Sequence, residues 1–405
     1  MKILWIARTC PYPANDGEKL RVFNLLKTLA AQHELTVVFR VMEQEELVGV
    51  AELRKFCKEV YGVVVPRPRG TIDKIRWLMP FLFSRYPISL CTVYFRAIAD
   101  VLTRISAVQR FDVVQVEHSS LAIYLDHVRF QGSPATILTM HNIDYIRNAR
   151  ILENTPFGLA KLYHYANQAR FQRWEIDVLG QFDEVIAMSD IDKRLLLQQN
   201  PSLSVHVVPN GVDIRGIPFC PVGAATPSVI FVASMDSDAN HDGAMYFIRD
   251  IWPLLRRSRP DLKVAFVGRY PRSELLAAHN GDDITVTGKV DDVFSYYRSA
   301  TVAIVPLRSG GGTRLKIVEA MAAGTAVVST SVGCEGLDVA DGVNIVVADT
   351  AEHFAAAIER IVADDVFRGQ LIRDARHLVE AHYDWELIGQ RHDQVYREAA
   401  KHAHN

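Results

Sequence analysis

SGGGTRLKIVEAMAAGTAVVSTSVGCEGL, Ser309 to Leu337, is the stretch that decides the fold. A glycine triplet, Gly310-Gly311-Gly312, opens into a helix-forming run from Thr313 to Ala323. Gly324 stops that run, and the β-branched segment Ala326 to Thr330 reads as a strand. Glycine lets a backbone approach an anion closely, and first-turn amides with the helix dipole favour negative charge there. Glu319 stands two turns beyond Gly312 on the same face, roughly 10 Å away at ~1.5 Å per residue. That matches the reach from a nucleotide's β-phosphate to its ribose, and a carboxylate is the acceptor a ribose diol needs. The spacing predicts a nucleoside diphosphate along the first two turns. The competing reading is an ordinary strand–helix unit with a glycine-rich turn.

The chain has 405 residues, more than one hydrophobic core usually holds, so two domains are expected. With 49% apolar and 23% charged residues it has the composition of a globular protein. A net charge of -2 offers no basic field, which argues against nucleic acid as a partner. The cysteines at 10, 57, 91, 220 and 334 show neither metal-like nor redox spacing, and their odd number argues against a disulfide framework. They fit a cytoplasmic protein. The apolar run in MKILWIARTCPYP is broken by Arg8 and is too short for a signal-peptide core or a membrane span.

Short strands are expected at Lys2–Ala7, Leu35–Arg40, Val60–Val65, Val113–Val116, Thr136–Met140, Glu184–Met188 and Val205–Val208, with helices between most of them. Pro218 to Pro227 reads as a linker. A second alternation follows: Val229–Val232, a helix near Gly243–Arg257, Lys263–Val267, Ile284–Val286, Val302–Pro306, then the glycine-triplet helix. Two such halves imply two doubly wound α/β sheets, with a cleft outside their strand carboxyl ends. The domains read as 1–217 and 218–380, with 381–405 a terminal helical segment.

The run E-A-M-A-A-G, a short strand and G-C-E-G-L resemble the donor-site signature of glycosyltransferase family 4, retaining enzymes of the GT-B type. The form G-G-G-T-R-L-K-x-x-E-A-M-A is similar to a subgroup of bacterial exopolysaccharide and sugar transferases. The resemblance implies two Rossmann-like domains, acceptor-side first and donor-side second. It also implies a final helix, after Tyr383-Asp384-Trp385-Glu386, that crosses back onto the first domain. Glu319 matches the family's ribose ligand. The family's other glutamate, eight residues earlier, would fall at Gly311, which leaves the amides of Gly311 and Gly312 as candidates for the sugar hydroxyls.

Further candidates come from the loops. Gly17 ends the loop Pro11 to Gly17 and precedes a helix, so its amide faces a phosphate or an acceptor; an αL turn is the plainer reading. His118 and His141 each follow a strand and, at equivalent strand ends, are expected on one rim of one sheet. The resemblance sets His141 against the donor sugar or its phosphate and His118 near the acceptor. A leaving diphosphate needs cations. Many relatives supply an arginine and a lysine from the loop that here reads Ala233 to His241 and contains neither. Arg314, Lys316, Arg269 and Arg308 are the replacements, Arg314 foremost, although Lys316 can also pair with Glu319 three residues on. Asp236-Ser237-Asp238 imitates a metal-binding D-x-D, but a polar turn explains it equally well, and no metal is expected. Ile72 to Tyr86 mixes Trp77, Met79, Phe81 and Phe83 with Lys74, Arg76 and Arg85, in the manner of an interfacial segment or of a core helix with solvated ends.

The resulting expectation is a metal-independent retaining glycosyltransferase that moves a hexosyl group from a nucleoside-diphosphate sugar. Its acceptor is a glycan, a lipid-linked or a small molecule. The donor is a co-substrate and no cofactor is implied. Arg314, Lys316 and His141 serve the chemistry; Gly17, Arg269, Gly310, Gly311, Gly312, Thr313 and Glu319 bind the donor; His118 lies on the acceptor side. The protein is expected in the cytoplasm, including the inner membrane face. A nucleotide-sugar epimerase of the same fold and a non-catalytic nucleotide-sugar-binding protein are the alternatives.

Overall fold

A computed structural model describes residues 1–42, 46–65, 79–81, 84–154, 158–220, 227–310 and 314–403. The chain divides into two compact units, Met1–Pro209 with Ile388–Asn405, and Asn210–Leu387.

In the first unit the strands are β1 (Lys2–Thr9), β2 (Glu34–Val41), β3 (Glu59–Val64), β4 (Val113–Glu117), β5 (Ala135–Met140), β6 (Glu184–Ala187) and β7 (Val205–Val207). They form one sheet in the order β3-β2-β1-β4-β5-β6-β7, and every pair is parallel. Helices cover such a sheet on both faces, so its strands are continuously apolar rather than alternating. Ile3, Leu4, Trp5 and Ile6 in β1 are accordingly all buried, as is every residue of β4.

The second unit repeats the scheme with β8 (Ser228–Val232), β9 (Lys263–Val267), β10 (Ile284–Gly288), β11 (Val302–Val305), β12 (Ala326–Ser329) and β13 (Val346–Val347). Their order is β10-β9-β8-β11-β12-β13, again parallel throughout. Phe231, Phe266, Ile304 and Val328 are at the centre of its core. Pro253 lacks the amide an α-helix would need, and the helix that begins at Asp238 passes through a π turn, Phe247–Ile251, just before it. The sequence reading made this one uninterrupted helix.

The strand order reverses direction between β1 and β4 in one sheet and between β8 and β11 in the other. In open parallel sheets the crevice at that reversal, beyond the strand carboxyl ends, is where ligands bind. The loops it singles out are those after β1, β4, β8 and β11.

Sequence reading places the domain boundaries at 217/218 and 380/381, whereas the units part at 209/210 and 387/388. Residues 210–217 join the second unit because Val212, Ile214 and Ile217 are buried in its core, and the Val212 amide donates to the Tyr383 carbonyl at 2.7 Å. The helix Trp385–Ala403 therefore starts in one unit and ends in the other. In the first unit its His392 stacks on Trp5, ring centroids 5.7 Å apart. A Cβ on Gly389 would lie 2.4 Å from Thr28 Cγ2, so glycine permits this close approach. All five cysteines are free thiols.

Candidate functional site

In the second unit, three loops at the strand carboxyl ends are tied together. The helix Leu315–Ala323 starts after β11 and is closed by Gly324 in the left-handed region, φ 86°. Lys316, on its first turn, donates from Nζ to Asn240 Oδ1 at 2.7 Å and lies 4.8 Å from the centroid of the Phe231 ring. Asn240 donates in turn to the Ser234 carbonyl at 2.9 Å. Arg269, after β9, reaches Ser234 Oγ at 3.4 Å. The loops after β8, β9 and β11 thus share one hydrogen-bonded line, Arg269–Ser234–Asn240–Lys316.

Glu319 sits one turn past Lys316, half-buried, and among the described residues no hydrogen bond engages its carboxylate. Burial pushes its carboxyl up to about 7 against the opposing pull of Lys316. Burial and the nearby Arg314 push the Lys316 ammonium down to about 7. The charged form of each is disfavoured in this poorly solvated place unless a ligand completes the site. Gly310 adopts φ 130°, and a Cβ there would lie 2.6 Å from Arg314 Nη2. A side chain there would push the end of Arg314 aside and would strain the backbone at this positive φ. Gly311, Gly312 and Thr313 lie outside the described residues.

Other sequence candidates are committed elsewhere. Arg308 grips Asp242 with two hydrogen bonds, of 3.0 and 2.5 Å. Asp236 Oδ1 accepts from Ser234 Oγ at 2.5 Å, and Asp238 pairs with Arg272 at 2.5 Å. The D-x-D is thus a hydrogen-bonded turn at a helix start. No group of three or more potential metal ligands occurs among the described residues. Tyr270, which the sequence reading passed over, is exposed beside Arg269 at φ 57°, a conformation costly for a non-glycine residue.

In the first unit, the loops after β1, β4 and β5 bring a second cluster together. Gly17 is the first residue of the helix Gly17–Leu29, capped by Asp16, whose Oδ1 accepts from the Lys19 amide at 2.9 Å. Gly17 is not among the glycines with positive φ, so the αL alternative does not apply. His118 and His141 stack, ring centroids 4.4 Å apart and planes 22° from parallel. His118 holds φ 81° and its Nε2 lies 3.1 Å from Glu18 Oε1. Burial, reinforced by His141, pushes the His118 imidazole below its usual range. Burial works to raise the Glu18 carboxyl, but His118, His141 and Arg8 outweigh it and hold it well below the ordinary range. Glu175 braces both loops, accepting from the Ser119 hydroxyl and, at 2.8 Å, from the Tyr145 amide. Glu18 and Glu175 went unread in the sequence, and Glu117 was noted only as the neighbour of His118, because glutamates on strands and helices carry no distinguishing pattern.

Residues 72–78, 82 and 83 of the basic-aromatic segment lie outside the described residues. No described helix is long and apolar enough to cross a membrane.

Comparison with known proteins joins these observations. The model described as "Glycosyltransferase Family 4" matches residues 17–215, and that described as "Glycosyl transferases group 1" matches residues 226–364. A Klebsiella pneumoniae protein described as an uncharacterized 44.6 kDa protein in the cps region is 22% identical over 96% of this chain and 97% of its own length. The phosphatidyl-myo-inositol mannosyltransferase of Mycolicibacterium smegmatis is 32% identical over 52% of this chain and 56% of its own. Anabaena HepE, solved in complex with UDP and glucose, superposes with a TM-score of 0.67 at 16% identity over 98% of this chain and 99% of that one. Two parallel sheets, a strand-order reversal in each and family matches over both halves agree: the chain belongs to the family 4-like glycosyltransferases of the GT-B fold.

Proposed function

We propose that this glycosyltransferase takes a hexosyl group from a nucleoside-diphosphate sugar, retains its anomeric configuration, and uses no metal ion or other cofactor. The observation that carries the reading is the Glu319 carboxylate, half-buried on the second turn of the helix Leu315–Ala323 and engaged by no hydrogen bond among the described residues. A ribose diol offers two donors to such a group. The UDP and glucose bound by HepE support a nucleotide-sugar donor.

Arg314, Lys316 and the helix start stabilise the departing diphosphate, and Arg269 assists on the donor side. An arriving diphosphate favours the protonated form of Lys316, whose ammonium burial has weakened. The acceptor hydroxyl attacks from the leaving-group face, and the diphosphate helps to take its proton. In the first unit His141 serves the reacting sugar or its phosphate, while His118 and Gly17 lie on the acceptor side. Metal independence is supported by the cations near the helix start and by the engagement of Asp236 and Asp238 with Ser234 and Arg272. The name of the Mycolicibacterium relative supports a lipid-linked acceptor, and with it a cytoplasmic protein at the inner membrane face. Incubation with nucleotide sugars and an acceptor panel, with proton NMR of the product's anomeric centre, tests the reading. A product of inverted configuration overturns it.

A further inference from the structure

The stacked imidazoles of the first unit lean on a carboxylate that the reaction as described leaves unused. Glu117, the last residue of β4, is fully buried, and its Oε2 lies 2.5 Å from His141 Nε2. Its other oxygen, Oε1, accepts from Gln115 Nε2 at 3.2 Å, and the same nitrogen donates to Thr139 Oγ1 at 2.5 Å. Residues two apart on a strand share a face, and Glu117 pairs in register with Thr139 on β5. The carboxylate is therefore gripped on both oxygens.

A carboxylate can only accept, so the proton between these groups is carried by His141 Nε2. That leaves Nδ1 as the other ring nitrogen, and no hydrogen bond among the described residues occupies it. The groups near His141 include Glu117 from β4, His118 from the turn after it and Glu18 from the first helix. Behind Glu117 are Arg21 and, from the last helix, Tyr396, which both feel its charge.

We propose that Glu117 is a positioning residue for sugar transfer, holding His141 with Nε2 as donor so that Nδ1 is the nitrogen presented to substrate. The inference rests on the assignment of His141 to the reacting groups made above. A buried carboxylate behind a histidine fixes the ring's tautomer and orientation and stabilises the imidazolium if a proton is taken up.

The decisive observable is the tautomer. Nitrogen-15 NMR of the histidine-labelled wild-type protein is expected to show His141 protonated at Nε2 and bare at Nδ1. Protonation at Nδ1 with Nε2 bare overturns the proposal, whatever the variants do. In Glu117→Gln the amide can accept or donate, so a mixture of tautomers is expected. Turnover of UDP-glucose, UDP-N-acetylglucosamine or GDP-mannose, whichever the wild type uses fastest, should fall by ~10-fold or more, with donor KM little changed. Full turnover in Glu117→Gln alongside an inactive His141→Ala refutes the positioning role and leaves the reading of His141 standing. Full turnover in His141→Ala refutes that reading itself.

Discussion

Lys316 and Glu319 lie three residues apart on one helix, yet Lys316 Nζ is 2.7 Å from Asn240 Oδ1, and no ion pair joins the two among the described residues. Residues at this spacing commonly pair. Here the amide of Asn240 draws the ammonium away, and the carboxylate remains available as an acceptor.

Replacement of Asn240 by alanine should release Lys316 toward Glu319. Nucleoside-diphosphate affinity should then weaken by roughly 1 kcal/mol, about fivefold, because the carboxylate is partly occupied. Titration calorimetry of Asn240→Ala against wild type checks this. Unchanged affinity would mean that Asn240 does not keep the two groups apart.

Arg314 should act on the rate more than on donor binding, because the diphosphate gains charge as the sugar departs. A guanidinium holds phosphate oxygens in a planar fork that lysine cannot copy. Arg314→Lys should therefore lower turnover, and Arg314→Ala should lower it by about 100- to 1,000-fold, with smaller losses in donor affinity. Gly310→Ala should show the same pattern, since its Cβ would intrude on Arg314 Nη2. Initial rates and donor affinities measured in parallel decide it. Wild-type rates in both Arg314 variants would assign the diphosphate to Arg269 or Lys316.

Glu175 supplies a pH test of stability. Burial, with Asp144 adding to it, pushes its carboxyl up to about 8 from an ordinary 4.5. The unfolded chain loses this proton near 4.5 and the folded chain keeps it to about 8, so the folded state binds more protons in that window. The contribution of Glu175 to stability is thus complete below the lower value and is lost as pH rises through the upper one. The Tm of Glu175→Gln relative to wild type should climb across this range and level off above it. A difference that stays flat from pH 5 to 9 would contradict the assignment.

Chelation addresses the metal question directly. Transfer should persist in excess EDTA. Loss of activity that magnesium or manganese restores would make Asp236 and Asp238 ligands after all.

Much of this was legible in the sequence because it is written in local pattern. Continuous β-branched runs mark buried parallel strands, and Gly324 marks the end of a helix. The helix that carries Glu319 was legible too, although it begins at Leu315 rather than Thr313. The linkage of Lys316 to Asn240 spans 76 positions and depends on the order of β8 and β11, which no local pattern encodes. Glu117 was hidden for the same reason: its partner is 24 residues away on an adjacent strand. His118 was found but its left-handed backbone was not, since only the turn that follows β4 imposes it. The domain boundary was drawn at a proline-rich linker, whereas the burial of Val212, Ile214 and Ile217 moves those residues into the second unit.

The most direct measurement is the affinity of nucleoside diphosphates for wild type and Glu319→Ala. It is best made by calorimetry at pH 8, where a carboxyl held near 7 is mostly ionised. At least one of UDP, GDP, ADP and dTDP should bind the wild type. Loss of the carboxylate should weaken it by roughly 1.5–3 kcal/mol. A folded Glu319→Ala variant that binds the same diphosphate as tightly as wild type would contradict the assignment of Glu319 to the ribose.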